Sequence, residues 1–185
     1  MISGSELRRG VIIELDGKLL QVVEYNHIKM KRTALARVKM RDINAGHIFE
    51  RTFQSDDKLV RVRLDSSQMQ YLYSDGDMHY FMDEETFEQT PLTPAQLGDA
   101  LNYITEGTSV EVTKYKDEII GVEMPITVEL KVTESEPGFK GDTATGGTKP
   151  VKVETGLSVN VPLFIKEGDV LKIDTRNGEY LERKN

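Results

Sequence analysis

Cysteine and tryptophan are absent from this 185-residue chain, and it contains only three histidines, His27, His47 and His79. Without cysteine the chain cannot have a disulfide bridge, a thiol nucleophile or a cysteine-ligated zinc ion. The histidines lie far apart and lack the HExxH spacing of a zinc protease. We therefore expect no metal, no other cofactor and no catalytic residue, so that the protein is not an enzyme.

Long apolar runs are also absent. No stretch of the sequence approaches the roughly 20 apolar residues that a membrane-spanning helix needs. The first residues lack the basic start and apolar core of a secretory signal. We expect a cytoplasmic, monomeric protein with no membrane partner and no small-molecule substrate.

The net charge of −7 is distributed unevenly along the chain. Residues 1–63 carry 13 basic and 8 acidic residues, whereas residues 64–127 carry 2 and 13 and residues 128–185 carry 9 and 10. One basic end joined to a strongly acidic middle indicates a partner that is polyanionic at one end only.

The basic end contains a stretch from which acidic residues are missing. No Asp or Glu occurs in residues 25–41, and six Lys or Arg residues occur in residues 27–41. Both sides of the stretch have strand character, so the pattern predicts a hairpin with the tip Lys29-Met30-Lys31-Arg32-Thr33. Lysine and arginine neutralise phosphates, which gives affinity for RNA that does not depend on sequence. A solvated hairpin with incidental charge is the alternative.

Short strands and turns predict an all-β fold with three small domains, residues 1–63, 64–127 and 128–185. In the first domain, Asp16-Gly17 indicates a two-residue hairpin turn. Ala36, Val38 and Met40 alternate with basic residues, so we expect them to face the core of an SH3-like barrel.

The second domain is predicted to be an OB-type barrel that contains one short helix. Thr93-Pro94 is typical of an N-cap followed by the first helical residue, and the helix is predicted over residues 94–104. Tyr71, Tyr73, Tyr80 and Phe81 could stack on bases, but the acidity of this domain favours core and cross-strand packing instead. The third domain is predicted to be another small β-barrel.

The chain resembles the bacterial elongation factor P family over nearly its whole length. The motifs that carry the resemblance are Arg9-Gly10, Lys39-Met40-Arg41, Glu50-Arg51-Thr52-Phe53, Tyr71-Leu72-Tyr73-Ser74-Asp75-Gly76-Asp77, Glu85-Thr86-Phe87-Glu88-Gln89, Gly141-Asp142-Thr143-Ala144, Val161-Pro162-Leu163-Phe164-Ile165 and residues 170–180. The resemblance implies an SH3/KOW-like domain followed by two OB-type domains in an L-shaped, tRNA-like arrangement.

The resemblance also implies a function in translation. Such proteins bind the ribosome, its RNA and its proteins, beside peptidyl-tRNA, and they relieve stalling at consecutive prolines. It implies that the hairpin tip reaches the peptidyl-transferase centre, commonly through a Lys or Arg modified by a dedicated enzyme. It further implies that Gly141-Asp142-Thr143 lies near the exit-site codon of the mRNA and that Tyr180 and Arg183 lie toward the tRNA stem.

The tip departs from the family pattern, which usually reads Lys-Pro-Gly-Lys-Gly or Lys-Met-Gly-Arg-Gly. Here the tip is one residue shorter and lacks both glycines. Either Lys31 or Arg32 occupies the modified position, and counting back from Arg37 favours Lys31. An elongation factor P-like paralogue, or a general RNA-binding β-barrel protein without a polyproline role, is the alternative function.

Overall fold

The computed structural model describes residues 1–29, 34–137 and 147–184. The chain divides into two compact units, Met1–Asp65 and Ser66–Asn185. Antiparallel sheets dominate both units, which confirms the predicted all-β fold class. The second unit contains two sheets, each with its own hydrophobic cluster. The predicted division into three domains at residues 63/64 and 127/128 stays a prediction.

Six strands form the sheet of the first unit, in the spatial order β1-β6-β2-β3-β4-β5. The strands are β1 (Ile2–Ser3), β2 (Ile12–Leu15), β3 (Lys18–Lys29), β4 (Ala34–Asp42), β5 (Ile48–Gln54) and β6 (Lys58–Val62). A single 3-10 turn, Gly4–Glu6, follows β1. The β3–β4 register shifts between Val22 and Glu24, and such a bulge bends a long strand around a core. The core contains Leu7, Ile13, Leu20, Val22, Ala36, Val38, Met40, Phe53 and Leu59.

The predicted turn between β2 and β3 is confirmed. Asp16 and Gly17 have φ of 53° and 74°, and the pairing of Leu15 with Lys18 closes the hairpin around them. Positive φ at both central residues matches the right-handed twist of the flanking strands. The turn sets the register that places Ile13 and Leu20 in the core.

The second unit begins with a five-stranded sheet in the order β11-β10-β7-β8-β9. Its strands are β7 (Asp65–Asp75), β8 (Met78–Asp83), β9 (Gln89–Leu92), β10 (Ser109–Tyr115) and β11 (Glu118–Glu123). The core beneath it contains Met69, Phe81, Leu92, Leu97, Ala100, Ile104, Val110 and Val112.

The predicted helix over residues 94–104 is wrong in length and in type after its first turn. An α-helix, α1, spans Pro94–Leu97 and is followed by a 3-10 helix, Gly98–Asn102. Thr93 caps α1 as expected, but Gly98 has φ 53° and ψ −129°, which ends the α-helical conformation. No helix in the described part of the chain is long and apolar enough to cross a membrane.

A second five-stranded sheet completes the second unit, in the order β14-β13-β12-β15-β16. Its strands are β12 (Thr127–Ser135), β13 (Thr148–Val153), β14 (Ser158–Pro162), β15 (Val170–Asp174) and β16 (Tyr180–Lys184). Tyr103, just after the 3-10 helix, is buried in the core of this sheet. The hydroxyl of Thr155 donates to the carbonyl of Asn102 at 2.7 Å, which links the same two regions.

One type of turn occurs in all three sheets, and we call its copies the Asp turns (residues 42–47, 83–88 and 174–179). In each, the first residue is an Asp whose N–H donates to the carbonyl five residues later and whose carbonyl accepts from the N–H four residues later. The Asp carboxylate also accepts from the backbone N–H two residues later. These bonds join β4 to β5, β8 to β9 and β15 to β16.

Candidate functional site

The stem of the basic hairpin is a long ladder between β3 and β4, with one bulge between Val22 and Glu24. Pairing runs from Leu20 opposite Asp42 to Lys29 opposite Ala34. Ala36, Val38 and Met40 are buried, while the basic residues between them are exposed, as the alternation predicted. The ladder therefore brings the chain out of the core to the residues that the sequence identified as the tip.

Most predicted tip residues lie outside the described residues. They are Met30, Lys31, Arg32 and Thr33; Lys29 is the last described residue of β3. The register still defines which residues connect the strands, because Lys29 pairs with Ala34 and four residues remain between them. The choice between Lys31 and Arg32 as the modified residue stays a prediction.

Carboxylates on the neighbouring strands neutralise two of the three cations of β4. The Lys39 Nζ lies 2.9 Å from the Glu24 Oε2, and the Arg37 Nε lies 3.3 Å from the Glu50 Oε1. The hydrogen bond from Lys39 is the main cause that lowers the pKa of Glu24, and the same bond raises the pKa of Lys39. The stem is thus less basic than the sequence of β4 alone indicated.

The tip end of the β3–β4 ladder is held by a residue that sequence reasoning missed. The Ser55 hydroxyl donates to the carbonyl oxygen of Ala34 at 2.7 Å, and the Ser55 N–H donates to the same oxygen at 3.1 Å. Ser55 lies in the turn between β5 and β6. Ser55 lies 21 positions after Ala34, so only the pairing of β4 with β5 could have revealed the contact.

The predicted RNA-facing residues of the last sheet have different surroundings. Gly141, Asp142 and Thr143 lie outside the described residues. Tyr180 is half-buried against the core and lines a groove of about 530 Å³. The Arg183 guanidinium lies 5.4 Å from the centre of the Phe164 ring and 3.7 Å from an Asp169 carboxylate oxygen.

The aromatic residues of the second unit pack as the sequence favoured. Phe81 is fully buried, and its ring centre lies 5.2 Å from that of Tyr71. Tyr73 stacks on Tyr80 across the strands, with ring centres 4.8 Å apart. Among the described residues, no group of three or more His, Asp or Glu side chains is arranged to hold a metal ion.

Family models match the chain in three consecutive segments. They are the elongation factor P KOW-like domain over residues 3–59, the elongation factor P OB domain over residues 64–122 and the elongation factor P C-terminal domain over residues 128–183. The sheets of the structure lie within the same three segments or extend a few residues beyond them.

Known proteins extend this match to the full length. Elongation factor P of Acetivibrio thermocellus is 51% identical over 184 residues, covering 99% of this chain and 100% of the relative. Elongation factor P of Carboxydothermus hydrogenoformans is 50% identical with the same coverage.

Solved structures share part of the fold. The eukaryotic translation initiation factor 5A from Methanococcus jannaschii superposes with a TM-score of 0.52 at 23% identity, covering 65% of this chain and 94% of that chain. A related protein from Naegleria fowleri gives a TM-score of 0.52 at 14% identity, covering 66% and 96%. The full-length matches decide the family: the chain belongs to the elongation factor P family of translation elongation factors.

Proposed function

We propose that this protein binds the ribosome beside peptidyl-tRNA and promotes peptide-bond formation, relieving stalling at consecutive prolines. The observation that supports this most directly is the full-length similarity to proteins named elongation factor P. The β3–β4 ladder adds a physical reason, because it connects a packed core to a short segment rich in Lys and Arg.

In this proposal the protein works by positioning and not by chemistry of its own. The tip residues Lys29, Lys31 and Arg32 neutralise phosphates near the acceptor end of the tRNA. Restraining that end in a reactive geometry lowers the entropic part of the barrier to a reaction that the ribosome catalyses. A slender hairpin reaches a narrow RNA-lined cavity that a globular face cannot enter.

The remaining contacts belong to the same proposal. Gly141, Asp142 and Thr143 lie near the mRNA codon of the exit site, and Tyr180 and Arg183 face the tRNA stem. The protein acts in the cytoplasm, and an enzyme modifies Lys31 or Arg32. The intact mass of protein from its native host tests the modification, since an unmodified tip gives the sequence mass, allowing for loss of Met1.

A general RNA-binding β-barrel protein is the competing function, and the structure gives a reason to place it second. Lys39 and Arg37 pair with carboxylates of this chain, so they are less able to neutralise phosphates of free RNA. Co-sedimentation with ribosomes that carry peptidyl-tRNA, compared with a gel shift on naked RNA at matched salt, separates the two functions.

Translation of two messages tests the main proposal. One message encodes three consecutive prolines and the other encodes alanines at those positions. The variant with both Lys31→Ala and Arg32→Ala should slow the proline message by about 10-fold or more and leave the alanine message nearly unchanged, because positioning is sensitive to small displacements.

The control variant removes the same charge elsewhere. Lys131→Ala with Lys152→Ala deletes two cations from the last sheet, and it should behave as the wild type on both messages. If the tip variant also matched the wild type on the proline message, the proposed role of the tip would be wrong.

A further inference from the structure

The two hydrogen bonds from Ser55 end on the residue that immediately follows the hairpin tip in sequence. β5 stops pairing with β4 at Gln54 opposite Leu35. One residue later, the Ser55 N–H and hydroxyl both donate to Ala34, at 3.1 Å and 2.7 Å. Among the described residues, Ser55 and Lys29 of β3 are therefore the partners of β4 that lie nearest to the tip.

Ser55 is itself held by the N-terminal segment of the chain, Ile2–Glu6. The Ser5 N–H donates to the Ser55 carbonyl at 3.2 Å, and the Gly4 N–H donates to the Asp57 carbonyl at 2.9 Å. The fit is close, because a Cβ placed on Gly4 would overlap the carbonyl oxygen of Gln54. A continuous set of backbone contacts thus connects the N-terminal segment, the β5–β6 turn and the tip end of the β3–β4 ladder.

We propose that Ser55 is a positioning residue that sets the direction in which the hairpin tip leaves the sheet. The inference rests on the proposed function, in which the tip restrains the acceptor end of a tRNA. The Ser55 hydroxyl is half-buried and donates to Ala34, the first residue after the tip in sequence, so a shift of this bond would be passed along the chain to the tip. Displacements of about 1 Å are enough to reduce a positioning effect strongly.

Substitution can separate the contribution of the Ser55 hydroxyl from that of the Ser55 backbone N–H. Ser55→Ala removes only the 2.7 Å bond and keeps the N–H bond, so the turn and the fold remain. Ser55→Thr keeps a hydroxyl at the same position. The matched control is Thr155→Val, which deletes a hydroxyl that also donates to a backbone carbonyl at 2.7 Å, that of Asn102 in the second unit.

The experiment measures the rate of the proline message against factor concentration in a purified translation system. Ser55→Ala should lower the maximal rate about 3- to 10-fold, the range expected from one lost hydrogen bond. The concentration at half-maximal rate should not change, because the charges that bind RNA are intact. Ser55→Thr should restore the maximal rate, and Thr155→Val should match the wild type.

Each of the other outcomes contradicts either the positioning role of Ser55 or the proposed function. Equal curves for Ser55→Ala and the wild type overturn the positioning role alone. A raised half-maximal concentration with an unchanged maximal rate also overturns it, since Ser55 would then act in binding. A wild-type protein that does not accelerate the proline message overturns the proposed function, and this inference with it.

Discussion

The three Asp turns share their backbone hydrogen bonds but differ in the residue that takes positive φ. In the first and third turns this residue is a glycine, Gly46 with φ 77° and Gly178 with φ 75°. In the second turn it is Phe87, with φ 60° and a side chain that is 69% exposed. Residues with a Cβ are strained in this region, whereas glycine is not.

The three Asp turns also differ in their surroundings. Asp42 and Asp174 are buried, and Asp174 also accepts two hydrogen bonds from the Arg176 guanidinium, at 3.0 Å and 2.7 Å. The third turn lies against Tyr103, whose hydroxyl would be 3.1 Å from a Cβ on Gly178. The comparison shows that one hydrogen-bonding pattern tolerates different side chains, and that local packing decides how costly each substitution is.

The largest expected effect is that of Gly178→Ala. Positive φ costs an alanine about 1–2 kcal/mol, and the Tyr103 hydroxyl, 3.1 Å from the new Cβ, must also shift by a few tenths of an ångström. We expect a loss of about 2–3 kcal/mol in the free energy of unfolding, measured by urea denaturation. Gly46→Ala is the matched control, since none of the described residues lies within 4 Å of its Cβ and only the backbone cost of about 1–2 kcal/mol applies.

Tyr103→Phe sharpens this prediction because it removes the hydroxyl that the Cβ meets. The double variant, Gly178→Ala with Tyr103→Phe, should lose less stability than Gly178→Ala alone and so approach the loss of Gly46→Ala. Equal losses for the two glycine variants in the wild-type background would show that Tyr103 does not contribute.

The second prediction concerns acid stability. The side-chain hydrogen bonds from Arg176 lower the pKa of Asp174 to about 2 from an ordinary value of 3.8. A lowered folded-state pKa gives stability that is present above pH 4 and is lost as the pH falls from about 4 to about 2. Asp174→Asn removes that titration, so its stability should fall less steeply over this range than that of the wild type.

Asp83→Asn serves as the comparison in the same pH titration. Backbone hydrogen bonds from Thr86 and Glu85 lower the pKa of Asp83, but no guanidinium chelates it among the hydrogen bonds of the described residues. Asp83→Asn should therefore change the dependence of stability on pH less than Asp174→Asn does. A profile for Asp174→Asn that follows the wild type would contradict the role of the Arg176 pair.

The smallest expected effect is a gain in stability from Phe87→Gly. Relief of positive φ is worth about 1–2 kcal/mol, and the greater freedom of glycine in the unfolded chain offsets about 0.5–1 kcal/mol of it. A net gain of about 0.5–1 kcal/mol in thermal or urea unfolding is expected. Phe87→Ala keeps the strained backbone and loses an exposed ring, so it should be nearly neutral; a gain as large as that of glycine would exclude backbone strain as the cause.

Sequence patterns were sufficient where neighbouring residues decide the structure. The alternation of Ala36, Val38 and Met40 and the Asp16-Gly17 turn were predicted because strand periodicity and turn chemistry act over a few residues. The helix after Thr93 was predicted too long because Gly98, a residue type that commonly ends helices, was included within it.

Contacts between distant residues were missed for a physical reason. The carboxylates that pair with Lys39 and Arg37 lie on β3 and β5, and Ser55 reaches Ala34 across the sheet. Each depends on strand register, which a single sequence specifies only through the summed packing of the core. The tip residues were identified from composition and resemblance, and their assignment remains a prediction.

The N-terminal segment affects how the first unit folds during synthesis. Ile2 pairs with Leu59, and Ser3 pairs with Lys58, so β1 has its partner more than fifty residues later in the chain. Such a high contact order slows folding, since the chain must close a long loop before these contacts form. During synthesis the sheet cannot be completed until β6 has emerged, and the tip end of the β3–β4 ladder gains its full support only at that point.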